Sequence, residues 1–116
     1  MAFEIKFTLV GLKDVEGLDG SIKRKLRNTL NKKLASNPNG YGTPLRVPLV
    51  NYYKHEFATH RIIYRVYAAR NIVVICAVGP RKIGDVQDVY EKFGKLAQSG
   101  RVASQIQAVL QNILKR

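Results

Sequence analysis

A chain of 116 residues with 46% apolar side chains suits one small domain with its own core. Its 20 Lys and Arg against 8 Asp and Glu give a formal net charge of +12, a balance that attracts polyanions or an acidic protein partner. The single cysteine excludes an intramolecular disulfide, one Cys and two His argue against a zinc site, and no apolar run approaches the roughly 20 residues of a membrane span. Residues 1–10 carry no signal-peptide pattern, so a reducing cytoplasm is the expected setting, with no metal or other cofactor.

Taken in order, Phe3, Ile5, Phe7 and Leu9 alternate with Glu4, Lys6 and Thr8, which predicts a first strand. Leu12, Val15 and Leu18 suit a short helix. Asp19 or Ser21 can cap a second one. In that helix Ile22, Leu26, Leu30 and Leu34 recur every four residues, a narrow apolar stripe on a very basic segment. Lys23, Arg24, Lys25, Arg27, Lys32 and Lys33 lie here, and between Gly20 and Gly84 the only acid is Glu56. Such a run reads as a solvated basic helix as readily as a binding surface. Asn37-Pro38-Asn39-Gly40 ends the helix, and a loop follows through Gly42, Pro44 and Pro48.

Three strands come next, at roughly 49–57, 60–67 and 72–78, with connections short enough for an antiparallel meander. The middle one alternates with period two. One face carries Arg61, Ile63, Arg65 and Tyr67, and the other His60, Ile62, Tyr64 and Val66. The second face reads as a core face. The first sets two guanidinium groups on one side of a sheet, and arginine forks suit phosphate. By the same parity Tyr52, Lys54 and Glu56 share a face, while His55 and His60 point towards the core. Cys76 sits in an apolar strand and reads as a buried, inert thiol.

Gly79-Pro80 stops the last strand and sets Arg81 and Lys82 just beyond it. A helix can begin near Asp85 and carries Val86, Val89, Tyr90, Phe93 and Leu96 on one side. After Ser99-Gly100, a last amphipathic segment aligns Val102, Ile106, Val109, Leu110, Ile113 and Leu114. It can pack on its own domain, on a second copy or on a partner helix. The order β-α-α-β-β-β-α-α predicts an α+β domain. Its small, antiparallel-dominated sheet has four strands, two N-terminal helices packed on one face, and C-terminal helices.

Several motifs in this order resemble one family. They are Gly40-Tyr41-Gly42-Thr43-Pro44-Leu45, Tyr53-Lys54, His60-Arg61-Ile62-Ile63-Tyr64-Arg65-Val66, Val78-Gly79-Pro80-Arg81 and Asp88-Val89-Tyr90. The chain looks like a member of the RelE/ParE toxin superfamily of type II toxin–antitoxin systems, over about residues 2–97. The implied organisation is a RelE-like toxin domain at 1–98, extended by an amphipathic helix of the same domain at 99–116.

The RelE branch is implied to be a ribosome-dependent, metal-independent mRNA endoribonuclease that inhibits translation. The ParE branch instead inhibits DNA gyrase without nuclease chemistry. A non-catalytic basic module for RNA or an acidic protein is a third reading. Lys54, Arg61, Arg81 and Tyr90 match the RelE pattern and favour the nuclease. Glu56 stands where some RelE proteins carry a second lysine, and the segment from Lys82 to Val89 is longer than usual in the family.

The resemblance implies a catalytic set of Lys54, Glu56, Arg61, Arg81 and Tyr90, with Glu56 or Lys54 as general base. Arg65, Lys82, Lys23 and Arg27 are the expected RNA contacts. The implied partners are a cognate antitoxin, the ribosome and mRNA. DNA would be reached only through the antitoxin, and no membrane is involved.

Overall fold

The structure, a computed structural model, describes residues 2–45, 49, 51–80 and 89–114, with the backbone alone at 89–92 and 112–114. Strand β1 (Glu4–Phe7) is followed by α1 (Leu9–Glu16), α2 (Gly20–Thr29) and a π-helical turn (Leu30–Leu34). Then come the short α3 (Pro38–Tyr41), β2 (Thr43–Pro44), β3 (Tyr52–Phe57), β4 (His60–Tyr67) and β5 (Ile72–Pro80). Helices α4 (Val89–Gln98) and α5 (Arg101–Leu114) complete the described chain. The α+β class agrees with the sequence; three features of the sheet do not.

The first is the strand count. The described residues form a five-stranded mixed sheet in the order β1-β5-β4-β3-β2, not a four-stranded one. The extra strand β2 is two residues long, too short to show a period, and one of them is Pro44. Proline is tolerated there because β2 is an edge. The second is direction. The N-terminal strand pairs in parallel with β5, and the other three pairings are antiparallel. Alternation within a strand records its faces but not which neighbour it will find.

The third is coverage. Helices pack on both faces of the sheet rather than on one. Leu26, Leu30 and Leu34 meet Phe57, Ile62, Tyr64, Val73, Ile75 and Val78 on one side. Phe93, Val102 and Ile106 meet Ile63, Ile72, Val74, Cys76 and Ala77 on the other. This accounts for the unbroken apolar run of β5, because a strand buried on both faces loses its polar alternation. A bulge adds to it. Ile63 faces Ala77 but Tyr64 faces Ile75, so Cys76 is the extra residue, and Cys76 and Ala77 pack in the same cluster.

Local chemistry sets the element ends. The predicted first strand stops before Leu9 because Thr8 caps α1. Its hydroxyl accepts the Gly11 N–H at 3.0 Å and lies 3.3 Å from the Cys76 carbonyl, to which it donates. Helix α1 then seals the edge of β5 beyond the end of β1. Asp14 Oδ2 accepts the Val78 N–H at 3.0 Å, and a Cβ at Gly11 would stand 2.5 Å from the Ile75 carbonyl oxygen. Of the two candidate caps of α2, Asp19 is the one used: it accepts the Ile22 N–H at 2.9 Å.

The π turn resolves a mismatch in the leucine stripe. A spacing of four overshoots a 3.6-residue turn by about 40° at each step. A wider π turn at Leu30–Leu34 reverses that drift, and Leu26, Leu30 and Leu34 all stay buried. Helix α5 packs on its own domain through Val102 and Ile106. No helix among the described residues is long and apolar enough to cross a membrane.

Candidate functional site

The β3–β4 pair brings the strand candidates together. Tyr52 lies opposite Arg65, Lys54 opposite Ile63, and Glu56 opposite Arg61. Directly opposed residues share a face, so Lys54, Glu56 and Arg61 form one group. Arg61 Nη2 stands 3.5 Å from Glu56 Oε1.

This face is not the open cationic platform that alternation suggests. Helices α4 and α5 cover much of it. Ile63 is fully buried and Arg61 is only 7% exposed. Arg65 is half-buried between two phenol rings, its guanidinium carbon 5.4 Å from the Tyr52 centroid and 5.0 Å from that of Tyr67. Tyr52 in turn packs edge-on against Phe93 of α4 at 5.0 Å. Burial raises the pKa of both phenols, and the Arg65 cation partly opposes it. A stacked guanidinium of this kind holds aromatic side chains in place as well as offering charge.

What remains accessible lies towards β3. An open recess of about 380 Å³ is lined by Tyr41, Thr43, Lys54, His55 and Glu56. Lys54 and Glu56 come from the strand face shared with Arg61. Tyr41 and Thr43 arrive through α3 and β2, whose pairing sets Thr43 opposite Lys54. The approach of this segment depends on Gly42. Tyr64 donates its hydroxyl to the Pro38 carbonyl at 2.7 Å, and a Cβ on Gly42 would overlap that hydroxyl. Burial pushes the Tyr64 phenol far above its ordinary pKa, so it stays a donor.

His55 is corrected from a core residue to a half-buried one lining the recess. Its Nδ1 lies 3.0 Å from the Tyr41 carbonyl oxygen. A carbonyl only accepts, so Nδ1 carries the proton, and in the neutral ring Nε2 is the bare acceptor. That Nε2 is buried without a hydrogen-bond partner among the described residues. His60, on the other face of β4, is partly buried and contacts Thr59 Oγ1 at 3.1 Å. Burial lowers its pKa, against the opposing pull of Asp19.

The other sequence candidates divide. Lys23 and Arg27 lie on α2, which packs on the opposite side of the sheet; they rim a groove over Ile5 and Phe7 of β1. They are therefore not part of the Lys54 group. Arg81 and Lys82 lie outside the described residues, as does the side chain of Tyr90, whose backbone is in the first turn of α4. Among the described residues no three His, Cys, Asp or Glu side chains gather into a metal-binding group. Sequence reasoning missed Tyr41 and Thr43 as recess residues, although both stand in the Gly40–Leu45 motif, because nothing in a two-residue strand announces its pairing.

The architecture has close counterparts among solved structures. The toxin–antitoxin complex RelBE2 of Mycobacterium tuberculosis contains a chain 26% identical to this one, with a TM-score of 0.66; the match spans 70% of this chain and 100% of that one. The isolated RelE toxin of E. coli matches at 22% identity and a TM-score of 0.61, over 81% and 97% of the two chains. The chain has the fold of the RelE-like toxins. A YoeB/ParE toxin from Agrobacterium tumefaciens shares the fold at 20% identity and a TM-score of 0.57, over 66% of this chain and 95% of that one. No family model and no curated protein matches the sequence. This RelE-like chain is longer than the M. tuberculosis chain, which is matched in full by 70% of it.

Proposed function

We propose that this chain is the toxin of a type II toxin–antitoxin system and an endoribonuclease that cuts mRNA on the ribosome. The observation that carries the reading is the placing of Lys54 and Glu56 in an open recess, with the buried Arg61 behind Glu56 on the shared face of β3 and β4. Metal-free cleavage of RNA needs a base for the ribose 2′-OH, positive charge for the phosphorane and a proton for the leaving 5′-oxygen. The 2′-oxygen forms a bond to phosphorus as the P–O5′ bond breaks, and the departing 5′-oxygen takes a proton from solvent water, leaving a 2′,3′-cyclic phosphate and a 5′-hydroxyl. Glu56 or Lys54 takes the 2′ proton. Arg61 binds the phosphate, for which its permanent charge and fork geometry suit it. Arg81 supplies a second guanidinium, and Tyr90 orients the nucleotide. Arg65 and Lys82 contact the RNA backbone near the site, while Lys23 and Arg27 belong to a separate cationic surface.

Support for an antitoxin partner comes from the relatives. Structures with this fold include toxin–antitoxin complexes from M. tuberculosis, E. coli and Pyrococcus horikoshii. In this reading the antitoxin silences the chain in the cytoplasm and carries any contact with DNA.

Primer extension on mRNA after induced expression tests the nuclease. Cuts at codon positions that disappear with Lys54→Ala and with Glu56→Gln are the expected result. Intact mRNA together with gyrase poisoning would replace this reading with the ParE-like one. Intact mRNA and unaffected gyrase would leave a binding module.

A further inference from the structure

We propose that the part of the recess formed by Tyr41, Thr43 and His55 is a nucleobase pocket, which takes the base of the nucleotide whose phosphate lies at Lys54 and Arg61. The proposal rests on the RNA-cleaving reading for its orientation. Its own support is the construction of the recess.

The lining of the recess combines two chemistries. Lys54 and Glu56 supply charge. Tyr41, Thr43 and His55 supply an aromatic ring, a hydroxyl and an imidazole. Tyr41 is 45% exposed, unusual for a large apolar ring in this chain. It is nevertheless held in place. Its carbonyl accepts from His55 Nδ1 at 3.0 Å, and its ring meets the His55 ring edge-on at 6.1 Å and 76°. Lys33 Nζ lies 5.7 Å from the ring centroid. A fixed, exposed aromatic beside a phosphate-type site is how proteins stack an unpaired base.

His55 adds direction. The Tyr41 carbonyl fixes the proton on Nδ1 and with it the orientation of the imidazole, whose ring stands edge-on to that of Tyr41. The Thr43 hydroxyl, which also lines the recess, is available to the edge of a stacked base. A volume of about 380 Å³ lies near the lower end of small-molecule sites, which suits one nucleotide.

The test is an NMR titration of the full chain with adenosine 3′-monophosphate, uridine 3′-monophosphate and inorganic phosphate. The pocket predicts that the adenosine nucleotide moves the signals of Tyr41, Thr43 and His55, that phosphate alone leaves them in place, and that the uridine nucleotide, with a smaller ring to stack on Tyr41, binds more weakly. Tyr41→Ala should weaken the adenosine nucleotide at least about fivefold, the lower bound of a lost base–aromatic stack. Tyr41→Phe keeps a ring and should retain binding, which separates stacking from misfolding.

Identical responses to phosphate and nucleotide, or an unchanged affinity in Tyr41→Ala, overturn the pocket. The two readings fail separately. If the wild type cuts mRNA and Tyr41→Ala cuts the same positions equally well, the pocket is wrong and the nuclease stands. If mRNA stays intact but the nucleotide binds at Tyr41, the nuclease is wrong and the pocket stands.

Discussion

Glu56 and Arg61 are cross-strand partners, and their side chains meet at 3.5 Å with the arginine buried and the glutamate 42% exposed. A tight charge-assisted bond is about 2.7–2.9 Å, so this is a contact rather than a locked bidentate pair. The burden is therefore uneven. Arg61→Ala removes a buried side chain and is expected to cost about 1–3 kcal/mol, while Glu56→Gln costs less than about 1 kcal/mol. Urea unfolding of both single variants and the double variant measures each term and their coupling.

Thr8 and Gly11 hold α1 to the edge of β5. Thr8→Ala loses the helix cap and should destabilise the protein by about 1–2 kcal/mol. Gly11→Ala drives a methyl into the Ile75 carbonyl and should cost about 1–3 kcal/mol. Thermal melts of the two variants check both values.

Helix α5 covers the sheet face that carries Ile63. Ile106→Ala should cost about 2–5 kcal/mol, as in other buried large-to-small changes. Truncation after Ser99 should lower the melting temperature more than that single change. An unchanged melting temperature in the truncated protein would show that α5 adds nothing to the core.

His60 should titrate below the ordinary 6.5, because burial disfavours its charged form. Its folded pKa is lower than its unfolded one, so its contribution to stability is present above the unfolded value. That contribution is lost as pH falls through the folded value. An NMR titration of the His60 ring protons should give a midpoint below that of a model peptide.

Cys76 behaves in the opposite sense. Burial pushes its thiol from 9.0 up to about 12, so the unfolded chain ionises first as pH rises. Its contribution is complete below 9.0 and is lost as pH climbs towards about 12. The buried tyrosines act in the same direction, so Cys76→Ala should flatten part of the alkaline decline in the urea midpoint. A disulfide-exchange reagent should label Cys76 only after unfolding.

Local patterns determined much of this protein. The period-two alternation of residues 60–67 set the β4 faces, and the parity of residues 52–56 put Tyr52, Lys54 and Glu56 on one side of their strand, which the β3–β4 register then joins to Arg61. The break at Ser99-Gly100 and the apolar stripe of residues 102–110 likewise marked α5. These are short-range properties, because backbone periodicity and chain-breaking residues act over a few positions.

The tertiary structure decided what depends on distant neighbours. Only packing could show that α4 and α5 bury the face of Arg61 and Ile63, or that Arg65 is clamped between Tyr52 and Tyr67. Parity sent His55 to the core, but a β2 of only two residues leaves its ring at the sheet edge, against the Tyr41 carbonyl. The parallel pairing of β1 with β5 was equally hidden, since a strand's own alternation is the same whichever partner completes its hydrogen bonds.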